Sequence, residues 1–315
     1  MENVNCAVCE SNNTEKINSV GQFGIAANVV ICKNCGLSYL NPRWSDAEYL
    51  NFYTKKYDKY YRPNPVKISA ENNPTSYYPI TRRLKESFGD EIKFKNILDI
   101  GSGDGSQLMS FIDQNLGENY FAIEPSEGHK NRLNQKGIKF ISNNINSDWN
   151  SDYENKFDFV IMRHVFEHML DLDKVLDKVK NVLTDNGIIY IAVPDAYNPF
   201  LPLTSNFFRA VHTYYFSKTT LTNILNKNSL HSEYMTEGDS FHPKELFCFV
   251  RKSKINLEPV ISDESYSKQL SVYSSHLMNE RKLGFQINQF FTNKVIQPIV
   301  RIKKHFFPKA ILKKN

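Results

Sequence analysis

From residue 96 to residue 251, short runs dense in β-branched and aromatic side chains alternate with segments whose apolar positions recur every three or four residues. The alternation predicts strands at 96–100, 119–123, 138–141, 157–162, 187–193, 232–236 and 245–251, and helices near 105–115, 127–136, 172–183 and 217–227. Such an order implies a parallel sheet with helices on both faces and a ligand site beyond the carboxyl ends of the strands. Upstream, Ser45 and Glu48 form a capping box for a helix running to Tyr61, which Pro63, Pro65 and Pro74 then stop. A second helix, about Tyr78–Phe88, ends at Gly89. Downstream, residues 256–263 form a linker, and helical spacing resumes from Ser265 to about Ile296, before Pro298 interrupts it.

Composition narrows the class. Hydrophobic residues make up 41% of the 315 positions and charged residues 23%, which excludes a disordered or collagen-like chain. The longest apolar runs, such as Ile188–Val193, have strand length, short of a membrane span. Met1–Glu10 lacks the basic and apolar regions of a signal peptide, so a cytoplasmic location is expected. The formal charge of +5 is unevenly spread. Seven of the 39 basic residues and none of the 34 acidic ones lie in 291–315, which leaves 32 against 34, or −2, in residues 1–290.

Four of the five cysteines form two pairs, Cys6-x-x-Cys9 and Cys32-x-x-Cys35. In a reducing compartment this spacing points to a metal, and four thiolates make the closed tetrahedral site that structural Zn²⁺ favours. Gly36 supplies the backbone freedom that the second turn needs. Cys248, within an apolar run, is expected to be an ordinary buried thiol.

The strand at 96–100 runs into Gly101-Ser102-Gly103-Asp104-Gly105 and then a helix. Glycines there let the chain turn and let a ligand approach the main-chain N–H groups. Glu124 ends the next strand, where a carboxylate can accept both hydroxyls of a ribose.

The run Ile97-Leu98-Asp99-Ile100-Gly101-x-Gly103-x-Gly105, Glu124, and Phe157-Asp158-Phe159-Val160 resembles class I S-adenosylmethionine-dependent methyltransferases. So does the stretch from Leu172 through Val182-Leu183 and Gly187 to Val193-Pro194-Asp195. The two cysteine pairs, with Asn41-Pro42 and the tyrosine-rich helix to Tyr61, are further similar to a bacterial subset. That subset carries an N-terminal zinc module and often methylates sugars or surface-glycan precursors. The resemblance departs from the longer sugar enzymes at their large C-terminal domain, which residues 253–315 are too short to match.

The resemblance implies an α/β fold with a Rossmann-like seven-stranded sheet. It would be flanked by a small zinc ribbon at 1–44, an aromatic helical lid at 45–89, the methyltransferase domain at 90–252 and a helical basic extension at 253–315. It implies S-adenosylmethionine packed on Gly101, Gly103 and Gly105, with Asp99 holding the loop or the ammonium group and Glu124 the ribose. Asn144 is the expected adenine contact, with Asn143 and Ile145 as alternatives, and Arg163 joins the cofactor-binding set.

Candidate bases at the ends of the fourth and fifth strands are Arg163, His164, Glu167, His168, His212, Tyr214 and Tyr215. His164 is the first choice, as a neutral imidazole able to take a proton near neutral pH, and His212, over the cleft mouth, is the second. Glu167 and His168 are expected to fix the turn behind. His164-Val165-Phe166-Glu167-His168 also spells an inverted zinc-protease motif, but it starts at a strand end rather than within a long helix. The Pro-rich aromatic stretch 194–216 and the Tyr53–Tyr61 helix are expected to shape an acceptor pocket.

A small-molecule acceptor, a nucleotide-sugar or glycan precursor, is the expected partner. Two other readings are a non-catalytic scaffold that binds S-adenosylmethionine and a nucleic-acid methyltransferase. The near-neutral body and a zinc knuckle bearing only Lys33 argue against nucleic acid. The basic tail 291–315 could lie on an anionic membrane, or belong to a helix packed on the domain or on a second subunit.

Overall fold

The computed structural model describes residues 1–61, 79–255 and 257–282. A central sheet has seven strands: β4 (Phe94–Ile100), β5 (Gly117–Ile123), β6 (Lys139–Ser142), β7 (Phe157–Arg163), β8 (Leu183–Pro194), β10 (Leu230–Glu237) and β11 (Glu245–Lys252). Their spatial order is β10-β11-β8-β7-β4-β5-β6. Every strand expected from the sequence is present within a few residues of its predicted bounds. The sheet is mixed rather than all parallel, because β11 runs antiparallel to both β8 and β10. A connection of seven residues, 238–244, joins β10 to β11, and a link too short for a crossover returns the chain antiparallel.

The helices cover this sheet through faces that the sequence spells out. In α6 (Leu172–Val182), Leu172, Val175, Leu176, Val179 and Val182 are all buried, the stripe of an amphipathic helix. Asp171 caps it by accepting the Lys174 N–H at 3.1 Å. α7 (Lys218–Lys227) shares the apolar core of α6, whereas α4 (Ser106–Asp113) and α5 (Glu127–Gln135) pack into a second core with other residues of the sheet. α7 starts from a Ser217–Thr220 cap. The expected 45–61 helix is two pieces, α1 (Asp46–Lys55) and α2 (Tyr57–Tyr61), broken at Lys56. Glu48 accepts from both the backbone N–H and the hydroxyl of Ser45, at 2.9 and 3.0 Å, so the capping box is as read. Tyr49, Tyr53, Tyr57 and Tyr61 stack successively across the break at 4.6–5.4 Å. α3 (Pro79–Phe88) then leads into β4.

The N-terminal strands β1 (Thr14–Val20), β2 (Ala26–Cys32) and β3 (Ser38–Leu40) form an antiparallel sheet whose fourth strand, β9 (Tyr214–Tyr215), comes from the stretch after β8. Borrowing β9 pairs the otherwise bare edge of β3. α8 (Asp263–Glu280) packs on the same sheet. Tyr273 is fully buried among Phe207, Phe208 and Tyr215, Gln269 donates to the Ala196 carbonyl at 3.0 Å, and Tyr266 donates to Glu15 at 2.6 Å. The cysteine knuckles share one apolar core with β7 and α6, and Lys227 ties them to α7 by donating to the Ala7 carbonyl at 2.9 Å and to Asp173 at 3.0 Å. The remainder of the expected C-terminal helix, and the basic tail 291–315, lie outside the described residues. No described helix is long and apolar enough to cross a membrane.

Candidate active site

β4 pairs with β5 on one side and with β7 on the other, so the loops after β4 and β7 diverge and leave a crevice at the carboxyl ends. The loop Gly101–Gly105 lines it. A side chain at Gly101 would strike Val165 at 2.3 Å, whereas Gly103, at φ +56°, faces open space. This loop therefore has to be bare, and it leaves room for a ligand against its backbone. Glu124, at the end of β5, is buried and accepts the N–H groups of Gly103 at 2.8 Å and Ser126 at 3.0 Å. Asp99, also buried, keeps one carboxylate oxygen without a hydrogen-bond partner among the described residues. Burial pushes its carboxyl well above the ordinary range, Glu124 adds to this and Arg163 opposes it. A ligand with a cationic amino group suits such an oxygen.

Arg163 is anchored by Glu245 and stands near enough to Asp99 to act on its charge. Its Nε donates to Glu245 at 3.0 Å, and Glu245 also receives Arg83 at 2.5 Å and His164 Nε2 at 2.8 Å. Burial would raise the Glu245 carboxyl, but His164, Arg163 and Arg83 outweigh it and hold it well below the usual range. Nothing in the sequence points to Arg83, and Glu245 stands out there only as a downstream carboxylate that could complete a metal site with His164 and His168; no local spacing links Arg83 to Glu245.

His164 has φ +53° and sits between two carboxylates, with Glu167 Oε1 3.6 Å from its Nδ1. Burial would lower its pKa, yet Glu167 and Glu245 together raise it to about 9. The expected neutral imidazole is therefore disfavoured in this arrangement: two carboxylates flank the ring and favour its protonated form. His212 is buried in the wall of the site rather than over its mouth, and burial, with His168 beside it, pushes its pKa well below the ordinary value. Tyr214 donates to the Leu170 carbonyl and Tyr215 to the Arg209 carbonyl, at 3.2 and 3.1 Å. Both phenols are pushed upward by burial, and neither lines the cavity described next.

That cavity, of about 290 Å³, is lined by Tyr57 and Tyr61 of α2, by His164, Glu167 and His168 after β7, and by Pro194, Phe200, Asn206, Phe207, Arg209, Val211 and His212. The tyrosine helix and the aromatic stretch after β8 thus enclose one space. The segment Phe166–His168 is a single tight turn, not part of a long helix. Asn143 and Asn144 are exposed beyond β6, with Asn144 Oδ1 accepting the Asn146 N–H at 2.8 Å, and Ile145 is half-buried.

The four knuckle sulfurs lie within 4.8 Å of one another, with Cys6 to Cys35 and Cys9 to Cys32 each 3.4 Å. Thiolates around one tetrahedral Zn²⁺ stand roughly 3.8 Å apart, so the set fits that ion. Cys248 is fully buried and its thiol is pushed up by burial.

A family model described as a methyltransferase domain matches residues 70–231. The chain belongs to the methyltransferase domain family. Among solved structures, this methyltransferase is similar to the Burkholderia thailandensis 1,6-didemethyltoxoflavin-N1-methyltransferase, solved with 1,6-didemethyltoxoflavin and S-adenosylhomocysteine. The two share 17% identity at a TM-score of 0.53, over 74% of this chain and 100% of that one. It is also similar to an S-adenosylmethionine-dependent methyltransferase from Clostridium acetobutylicum (14% identity, TM-score 0.45, 64% of this chain and 98% of that one). Another is a methyltransferase from Aquifex aeolicus (18%, 0.45, 59% and 97%). The first likeness shows the fold. No curated protein matches the chain.

Proposed function

We propose that this methyltransferase takes its methyl group from S-adenosylmethionine and delivers it to a small molecule, a nucleotide-sugar or surface-glycan precursor. The observation that carries the donor assignment is the pairing of Asp99, with its free buried oxygen, and Glu124 across a glycine loop that faces open space. Glu124 would take the ribose hydroxyls through lone pairs that its two backbone N–H partners leave free, and Asp99 would receive the amino group. Bound there, S-adenosylmethionine supplies an activated methyl that carries its own leaving group, so the chain's task is chiefly alignment.

The cavity supports a small acceptor. Tyr57, Tyr61 and Phe207 offer flat apolar faces to a ring, Asn206 offers an amide, and Arg209 offers a guanidinium suited to a phosphate. Glu167, His168 and His212 form an electron-rich wall for a proton-bearing nucleophile. His164, clamped by Glu245, orients that wall. We further propose that the four cysteines hold a structural Zn²⁺. The test is calorimetric binding of S-adenosylhomocysteine to the full chain, followed by transfer of labelled methyl to a panel of nucleotide sugars. Binding weakened about tenfold or more by Glu124→Ala, and transfer to a sugar, support the reading. No donor binding by the folded wild-type chain defeats it, and binding without transfer to any acceptor favours a scaffold.

A further inference from the structure

We propose that Glu167, His168 and His212 form a site for a divalent first-row transition-metal cation in the wall of the acceptor cavity. One donor atom from each lies within 4.8 Å of the other two. Glu167 and His212 are 2% and 4% exposed.

The hydrogen bonds of His168 settle where its lone pair is. His168 Nδ1 is 2.8 Å from the Val211 carbonyl oxygen, an atom that can only accept, so Nδ1 carries the proton. His168 Nε2 is then a bare acceptor, and it faces Glu167 Oε1 at 3.8 Å, too far for a hydrogen bond. Glu167 Oε2 and His212 Nδ1 are buried with no hydrogen-bond partner among the described residues. Glu167 Oε1 has the His164 ring 3.6 Å away, but Glu167 Oε2 and His212 Nδ1 stay unmet; unmet polar atoms are costly in a buried site, and one cation answers them with His212 in the tautomer that frees Nδ1. Donor atoms around an ion at 2.0–2.2 Å stand roughly 3 to 4.4 Å apart, which modest side-chain rotation reaches from here.

Two imidazoles and one carboxylate suit Mn²⁺, Fe²⁺, Co²⁺ or Zn²⁺ and leave coordination positions open. The ring that must present Nε2 is locked from behind by Val211 and by the Tyr53 hydroxyl at 2.9 Å, the arrangement that orients histidine ligands. His164, the first residue of the His-x-x-Glu-His string, turns instead to Glu245 at 2.8 Å, so the string supplies only two of the three ligands. His212 supplies the third from a separate segment. The site stands on this geometry alone. That an acceptor hydroxyl completes the coordination rests on the acceptor cavity proposed above.

The test uses the full chain with its cysteine site filled with zinc, which Mn²⁺ displaces poorly from four thiolates. Mn²⁺ is titrated in while the electron paramagnetic resonance of the free ion is followed, and S-adenosylhomocysteine binding is measured on the same samples. One Mn²⁺ per chain is expected, with affinity reduced at least tenfold in both Glu167→Gln and His212→Asn. No Mn²⁺ binding by the wild-type chain, or equal binding by both variants, overturns the site. Donor binding without Mn²⁺ binding defeats the cation site and leaves the methyltransferase reading standing. Mn²⁺ binding without donor binding supports the cation site and defeats the donor assignment.

Discussion

The backbone N–H of Gly103 donates to the Glu124 carboxylate at 2.8 Å, which fixes the glycine loop to the end of the neighbouring strand. Glu124→Ala removes both a bond that shapes this loop and the proposed ribose acceptor. Hydrogen bonds to a charged group contribute about 1.5–3 kcal/mol, so donor affinity is expected to fall by about tenfold or more. Calorimetry with S-adenosylhomocysteine, alongside circular dichroism to show an intact fold, checks this. Unaltered affinity would remove Glu124 from the donor site.

His164→Ala deletes a ring that spans Glu167 and Glu245, while Arg83 and Arg163 still neutralise Glu245. Donor affinity is expected to stay near wild type while turnover drops by roughly tenfold to a hundredfold, the range of a lost orienting contact. Single-turnover kinetics separates the two quantities. Unchanged turnover would take His164 out of the reaction.

Asp239 receives the N–H groups of Phe241 and His242 at 2.8 and 2.7 Å, and Arg83 Nε at 2.9 Å. Burial works against its ionised form, but these donors hold the carboxyl at about 2. Because the folded-state value lies below the unfolded one, the stabilisation is complete above about pH 4 and is lost as pH falls towards 2. It amounts to about 2 kcal/mol. Asp239→Asn is therefore expected to melt earlier at pH 7 and to converge on the wild type in acid. Urea denaturation across pH reads this directly, and parallel curves for the two proteins would contradict it.

Removing the metal proposed at Cys6, Cys9, Cys32 and Cys35 is expected to destabilise far more than residues 1–40. The knuckles share a core with β7 and α6, and β3 holds β9, which borders the cavity segment. A chelator strong enough to strip zinc should lower the melting temperature of the whole chain by several degrees in one transition and weaken acceptor turnover. Separate melting of an N-terminal unit, seen by calorimetry, would show that the module is energetically independent.

What the sequence determined by itself is what local spacing can encode. The strands and helices of the central sheet, the Ser45–Glu48 cap, the bare loop Gly101–Gly105, Glu124 at a strand end and the paired cysteines all appear in the folded chain where their periodicity places them. Each depends on contacts within a few residues, or on the fixed rise of a helix or strand. The tertiary structure alone decided the antiparallel run of β11, the gift of β9 to the N-terminal sheet, the place of His164 between two carboxylates and the meeting of Glu167, His168 and His212. Each of these joins separate segments: Arg83 lies 162 residues from Glu245, and Tyr53 lies 115 from His168. Residue type announces that such side chains need partners. Only the packing of sheet on helix settles which partners they meet, and with that their protonation and their chemistry.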